Sequence, residues 1–148
     1  MTETKKIIGQ APCFPVADVE KSASYYRDKL GYSYDRIWGD PGSFCMPKRD
    51  GHTIMLAQVE EPSDVRSNTT VVTSRHTHEG EQGEHVDYAP WDAYVWCNDA
   101  ESLFREFKLN GATIHYEPTI QEYYGMKEFA VKDLDGYVIA FGQSWPAT

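Results

Sequence analysis

The sequence predicts an α+β fold: two tandem βαβββ modules form a curved mixed sheet around a cleft, with their helices on the outer face. Three observations predict it. A weak repeat at an offset of 80 positions lays Val16 to Ser33 on Trp96 to Thr113 without a gap. Each copy reads as strand, capping side chain, helix and glycine. After each helix come strand-like runs parted by Gly, Pro and Asp, with no further helix in the module. With 148 residues, 41% of them hydrophobic, one core is expected in one domain spanning 1–148. Within it, module one is read at 6–60, a loop or lid at 61–88 and module two at 89–146.

In the first strand, period-two alternation turns Phe14 and Val16 towards the helix. Asp18 then caps a helix whose stripe is Val19, Ala23, Tyr26 and Leu30, and Gly31 takes the left-handed exit. Strands are expected at Tyr32 to Trp38, Ser43 to Pro47 and His52 to Val59, separated by the GDPG and KRDG turns. In the second copy Asn98 falls on Asp18, Ser102 on Ser22 and Gly111 on Gly31, so Asn98 is the expected cap. Leu103, Phe104 and Phe107 are the buried stripe, and strands follow at Thr113 to Glu117, Glu128 to Lys132 and Tyr137 to Gly142. Asp133 and Asp135 belong to the turn DLDG, where Asp side chains cap backbone amides. Alternation assigns Ile54, Leu56, Ile139 and Phe141 to the core, with Thr53, Met55, Ala57, Val138, Ala140 and Gly142 on the cleft side. The same parity places Trp96 in the helix-facing core and Trp91 in the cleft.

The stretch from Glu60 to Tyr88 is polar and without clear periodicity, apart from a short strand expected around Thr69 to Val72. It holds His76, His78 and His85 beside Glu79, Glu81 and Glu84, a spacing that matches no standard metal motif. A net charge of −9 and a pI of 4.9 leave no basic stripe for phosphates, which excludes nucleic acid; the same charge favours a cationic small molecule. Cys13, Cys45 and Cys97 are odd in number and widely spaced, as expected of reduced thiols in the cytoplasm. The opening MTETKKIIGQ lacks the apolar stretch of a secretory signal, and no run is long enough for a membrane span. Ser22 and Ser102 sit in helix first turns, and neither a GxSxG elbow nor a Gly-rich phosphate loop is present, so no catalytic residue is assigned.

The segments FPVADVEKSASYYRDKLGY and GMKEFAVKDLDGYVIAF resemble the vicinal oxygen chelate superfamily, with Leu134 where proline is usual in the turn. That superfamily includes glyoxalase I, extradiol dioxygenases, fosfomycin resistance enzymes and bleomycin resistance proteins. The resemblance implies a divalent ion cupped by side chains of the first and last strand of each module, the first-strand ligand seven residues before the helix cap. Carried over, these positions are Ala11, Trp91, Met55 and Ala140, none of which suits such an ion. A register slip of one residue brings Gln10 and Asp92 into play; with His76, His78 and His85 they are the fallback ligands. APCFPVAD is similar to the first strand of bleomycin resistance proteins, which sequester drug without a metal.

The reading is therefore an antibiotic-resistance type of protein that binds an amphipathic or cationic small molecule, without metal or cofactor. Trp38, Met55, Trp91, Tyr123, Tyr124 and Ala140 are the candidate cleft residues. The alternative is a lyase, isomerase or dioxygenase of the same superfamily with a displaced metal site. The resemblance also implies a homodimer, its cleft formed within one chain or across two.

Overall fold

The computed structural model describes residues 4–71, the backbone of His76–Glu79 and His85–Tyr88, and residues 91–146. Module one contains β1 (Cys13–Val16), α1 (Val19–Leu30), β2 (Ile37–Trp38), β3 (Phe44–Cys45), the small hairpin β4 (Lys48–Arg49) and β5 (His52–Thr53), and β6 (Met55–Gln58). Then come α2 (Asn68–Val71) and a second hairpin, β7 (His76–Glu79) with β8 (His85–Tyr88). Module two contains β9 (Ala93–Trp96), α3 (Ala100–Leu109), β10 (Thr113–Gln121), β11 (Met126–Lys132) and β12 (Val138–Ser144). The two four-stranded sheets have the orders β1-β6-β3-β2 and β9-β12-β11-β10. In each, the module's first strand runs parallel to its last at one edge, and the remaining pairs are antiparallel. The α+β architecture of tandem βαβββ modules is thus present.

The helices form for the reasons the sequence supplies. Asp18 Oδ1 accepts from the amides of Glu20 and Lys21 at 3.1 and 3.2 Å, satisfying the open first turn of α1. Val19, Ala23, Tyr26 and Leu30 are fully buried. Gly31 leaves at φ 71°, where a side chain would also strike the Arg49 guanidinium. In α3 the cap is Asp99, accepting from the Ser102 amide at 3.0 Å, and not Asn98 as expected. The repeat over strand, cap and buried face therefore runs at an offset of 81: Phe14 matches Val95, Asp18 matches Asp99, and Tyr26 matches Phe107. It returns to 80 at Gly111 because α3 is two residues shorter than α1, 10 against 12, while Asn110 adds one residue between the helix and the glycine. An ungapped alignment pinned on the glycines puts the missing residue in the wrong place. Trp96 is the casualty, 75% exposed on the cleft side, while Ala93 and Val95 pack into the core.

One hydrophobic core serves both modules, and it contains Phe14, Val16, Ile54, Leu56, Ile139 and Phe141 as alternation required. Phe129 stacks on Phe141 with centroids 5.4 Å apart, and Phe107 meets Phe141 edge-on at 5.0 Å. Across the module boundary, Phe14 stacks on Tyr137 at 4.6 Å. The DLDG turn latches that boundary. Asp133 Oδ1 accepts from the amides of Asp135 and Tyr137, both at 2.9 Å, and Oδ2 accepts from the Tyr26 hydroxyl at 2.7 Å. Asp135 in turn accepts from the Ala17 amide at 3.0 Å and from the Ser22 hydroxyl. Burial raises the Asp133 carboxyl to about 7, an effect that its three donors oppose. Arg49 adds a forked ion pair to Glu106 at 2.6 and 2.9 Å, and also donates to the Leu30 carbonyl.

The middle stretch differs from expectation. Thr69 to Val71 lie in the single turn α2 and not in a strand, and the expected loop carries the β7–β8 hairpin. Its ladder pairs His76 with Tyr88 and His85 with Glu79; the three histidine side chains lie outside the described residues. The cysteines are free, and no described helix is long and apolar enough to cross a membrane.

Candidate ligand-binding site

On β11, Phe129 and Val131 enter the main core, so the alternate residues Glu128 and Ala130 face the other way, towards the cup. Beside them in register stand Gly142 and Ala140 on β12, with Tyr94 next to Ala140 on β9 and Tyr116 next to Ala130 on β10. Ala130, Val138 and Ala140 make a small buried floor, and Trp91, Tyr94 and Tyr116 pack upon it. The absence of bulk in the floor admits the rings. Gly142 is the sharpest instance: a Cβ there would collide with the Tyr94 hydroxyl and come within 3.0 Å of the Met126 methyl.

Passing over Gly142, Tyr94 donates to Glu128 Oε2 at 2.6 Å. Tyr116 donates to Oε1 at 3.1 Å, and Tyr124, from the turn before β11, donates to the same oxygen. The Trp91 indole N–H completes the chain by donating to the Tyr116 hydroxyl at 2.9 Å. Glu128 is thus a fully buried carboxylate held by three phenols from three separate elements. Among the described residues no Lys, Arg or His nitrogen pairs with it. Its neighbour Lys127 turns to the sheet's other side, 3.2 Å from Glu101 and over the Trp145 ring. Burial, and then the hydrogen bond to Glu128, pushes the Tyr94 and Tyr124 phenols far above their ordinary range. They remain protonated donors at any physiological pH.

Above this network the aromatic surface opens outward. Trp91 meets Tyr94 edge-on at 4.9 Å, and Trp96 tilts against Tyr94 at 5.3 Å. Trp91 and Tyr94 are half-buried, and Tyr124 is exposed.

Of the sequence-derived candidates, Trp91, Tyr124 and Ala140 come together here, Ala140 as floor beneath the rings and closed to solvent. Tyr123, in the same turn as Tyr124, is 88% exposed. Trp38 and Met55 lie on the corresponding face of module one, where Trp38 packs on Phe44 at 5.8 Å and under Arg36. Neither hydrophobic cluster includes them. Sequence reasoning missed Tyr94, Tyr116 and Glu128. The available signal was the run EFAV, in which a lone carboxylate alternates with core residues.

The corrected cap moves the family's first-strand metal position in module two from Trp91 to Asp92. The Asp92 carboxylate is already engaged: Oδ1 accepts from the Asn68 amide and Oδ2 from the Val138 amide, each at 2.7 Å. Gln10 is exposed in the N-terminal segment, and Ala140 and Met55 supply no hard donor. Among the described residues no three His, Cys, Asp or Glu side chains are grouped to hold a metal. Among the described residues the donor set does not fit a divalent ion. A separate open groove of about 760 Å³ lies beyond Trp96, between the β4–β5 hairpin and α3, but its Arg49 and Glu106 satisfy each other.

No curated protein matches the sequence. Among solved structures, the antibiotic-binding protein TnmS3 from Streptomyces sp. CB03234 superposes with a TM-score of 0.63 at 16% identity, covering 96% of this chain and 99% of that one. The bleomycin-binding protein from bleomycin-producing Streptomyces verticillus, complexed with copper(II)-bleomycin, gives 0.58 at 20% identity, covering 93% and 97%. A glyoxalase-related enzyme from Clostridium phytofermentans gives 0.66 at 15% identity, covering 97% and 99%. At such identities these likenesses speak to the fold. The sequence itself matches the family described as the Glyoxalase/Bleomycin resistance protein/Dioxygenase superfamily over residues 9–141, and the chain belongs to that superfamily.

Proposed function

We propose that this chain is a metal-independent binding protein that sequesters a small amphipathic molecule against the cup face of module two. The observation that carries the reading is the aromatic surface of Trp91, Tyr94 and Trp96, laid over a floor of small residues and backed by an ordered polar network. Large rings supply contact area at little entropic cost, and the polar groups orient the ligand. That two structural neighbours carry the descriptions antibiotic-binding and bleomycin-binding supports the same class of ligand. The protein acts in the cytoplasm as a homodimer, in which the open face of Trp38, Phe44 and Met55 closes over a partner's cup. Light scattering checks the dimer: a monomer at working concentration removes that closure. For the ligand, calorimetric titration of metal-stripped protein with a panel of amphipathic aromatic compounds is expected to give saturable binding indifferent to EDTA. No saturable binding across the panel overturns the reading.

Asp92, at the family's first-strand position, is the one observation favouring the enzymatic alternative. Metal analysis of untagged protein separates the two. Stoichiometric zinc, iron, nickel or manganese selects a lyase, isomerase or dioxygenase.

A further inference from the structure

We propose that Glu128 is the counter-charge for an organic cation, so that the cup selects an aromatic body bearing a quaternary ammonium or protonated amine. This deepens the binding reading above and rests on it. The argument begins with the cost of burying a carboxylate, which is high unless the charge is paired and fully hydrogen-bonded. Glu128 has the hydrogen bonds, and the described residues give it no cation. Lys132, on the same face of β11, lies four residues along the strand, roughly 13 Å away.

The direction of every hydrogen bond then decides what the site can accept. Tyr94, Tyr116 and Tyr124 each commit their proton to Glu128, and the Trp91 N–H is committed to Tyr116. The constellation therefore turns ring faces towards the cup, with none of these four donors left for an anion. Phenol oxygens polarised by a buried carboxylate are good acceptors for an ammonium N–H. The faces of Trp91, Tyr94 and Trp96 suit a cation without N–H, because the ring quadrupole attracts positive charge. Glu128 is sealed, so the cation settles against the phenols and rings, and the buried charge acts through them at short range in a medium of low dielectric.

The test uses three probes of similar shape at low ionic strength and pH 8: N-methylquinolinium, neutral quinoline and 2-naphthoate. Titration of the native protein, followed by tryptophan quenching and calorimetry, is expected to show the cation binding at least tenfold tighter than quinoline, and the naphthoate weakest. In Glu128→Gln that preference, taken as the ratio of the two affinities measured on the variant itself, is expected to fall to within twofold. Equal binding of the three by the native protein, or preference for the naphthoate, overturns the counter-charge and leaves the binding reading standing. Failure of all three to bind overturns both. The ranking on native protein needs no variant, so a folding defect in Glu128→Gln leaves it intact; an unchanged preference in a folded Glu128→Gln overturns the role of that residue.

Discussion

Two buried carboxylates stand on opposite sides of module two, and each accepts three hydrogen bonds, yet their donors differ in kind. Asp133 takes two of its three from backbone amides of its own turn and the third from Tyr26, a fully buried ring of the other module. Glu128 takes all three from tyrosine side chains, on β9, on β10 and in the turn before β11. The first arrangement is local, fixed by the backbone and enclosed in the core, so it can only hold the modules together. The second is assembled from distant parts of the chain beneath an exposed aromatic surface, which stability alone does not require. Hydrophobic residues of matching size would fill the same volume without desolvating a charge.

The largest expected effect concerns Asp133 and pH. Its folded value of about 7 lies above the unfolded value near 4, so the native state retains a proton that the unfolded state has released. Protonation breaks no necessary contact, since Oδ2 faces a phenol able to accept as well as donate. The stabilising contribution is therefore complete below about pH 4 and lost as pH rises through about 7. Urea unfolding of the native protein against Asp133→Asn, repeated from pH 4 to 8, is expected to show the native advantage shrinking by up to about 4 kcal/mol. A difference independent of pH would show that the latch stays ionised throughout.

Next comes Gly142→Ala, aimed at the other carboxylate. The added methyl occupies the path of Tyr94, and overpacking of this kind costs roughly 1–3 kcal/mol. Because Tyr94 is the sole donor to Glu128 Oε2 among the described residues, displacing its ring also breaks the network. Loss of thermal stability together with weakened ligand binding is the expected pair of results. A drop in melting temperature with binding intact would detach Tyr94 from the site.

These two sites were unequally legible in the sequence. The latch could be read because its signals are local: DLDG announces a turn whose Asp side chains cap amides, whatever else the chain does. The Asp18 cap and the Gly31 exit follow from chemistry of the same short range. The cup depended on register. Two residues fewer in α3, with one added before Gly111, turned the matched offset from 81 to 80, enough to send Trp96 to the core and Asn98 to the cap. Trp91 reaches the cup for a reason parity does not contain, since it precedes the first residue of β9. Glu128 was hidden differently. A glutamate in a strand is ordinarily read as solvent-facing, and its burial became visible only when Tyr94, Tyr116 and Tyr124, far apart in sequence, were placed around it.

Within the proposed binding surface, Trp91→Ala removes the ring that covers the floor and anchors Tyr116. A central aromatic of this kind is worth about 2 kcal/mol of binding, so affinity for an aromatic probe should fall at least tenfold. Far-ultraviolet circular dichroism should be unchanged, because Trp91 lies outside the main core. Retained affinity would place the ligand elsewhere, the groove beyond Trp96 being the first alternative.

The smallest effect is the sharpest comparison, since it makes one chemical change at both carboxylates. Tyr26→Phe and Tyr124→Phe each delete a phenol hydroxyl that donates to a buried Asp or Glu. Tyr26 is fully enclosed, so nothing replaces the lost donor, and at pH 8 the variant should be about 2 kcal/mol less stable. At pH 5, where Asp133 holds its own proton, the loss should be smaller. Tyr124 is exposed at the mouth of the cup, where water can take the place of its hydroxyl. Its removal should cost under about 1 kcal/mol of stability and still lower affinity for the cationic probe, by exposing Glu128 to solvent that screens its charge. Equal destabilisation by the two substitutions would mean that Glu128, like Asp133, serves the fold.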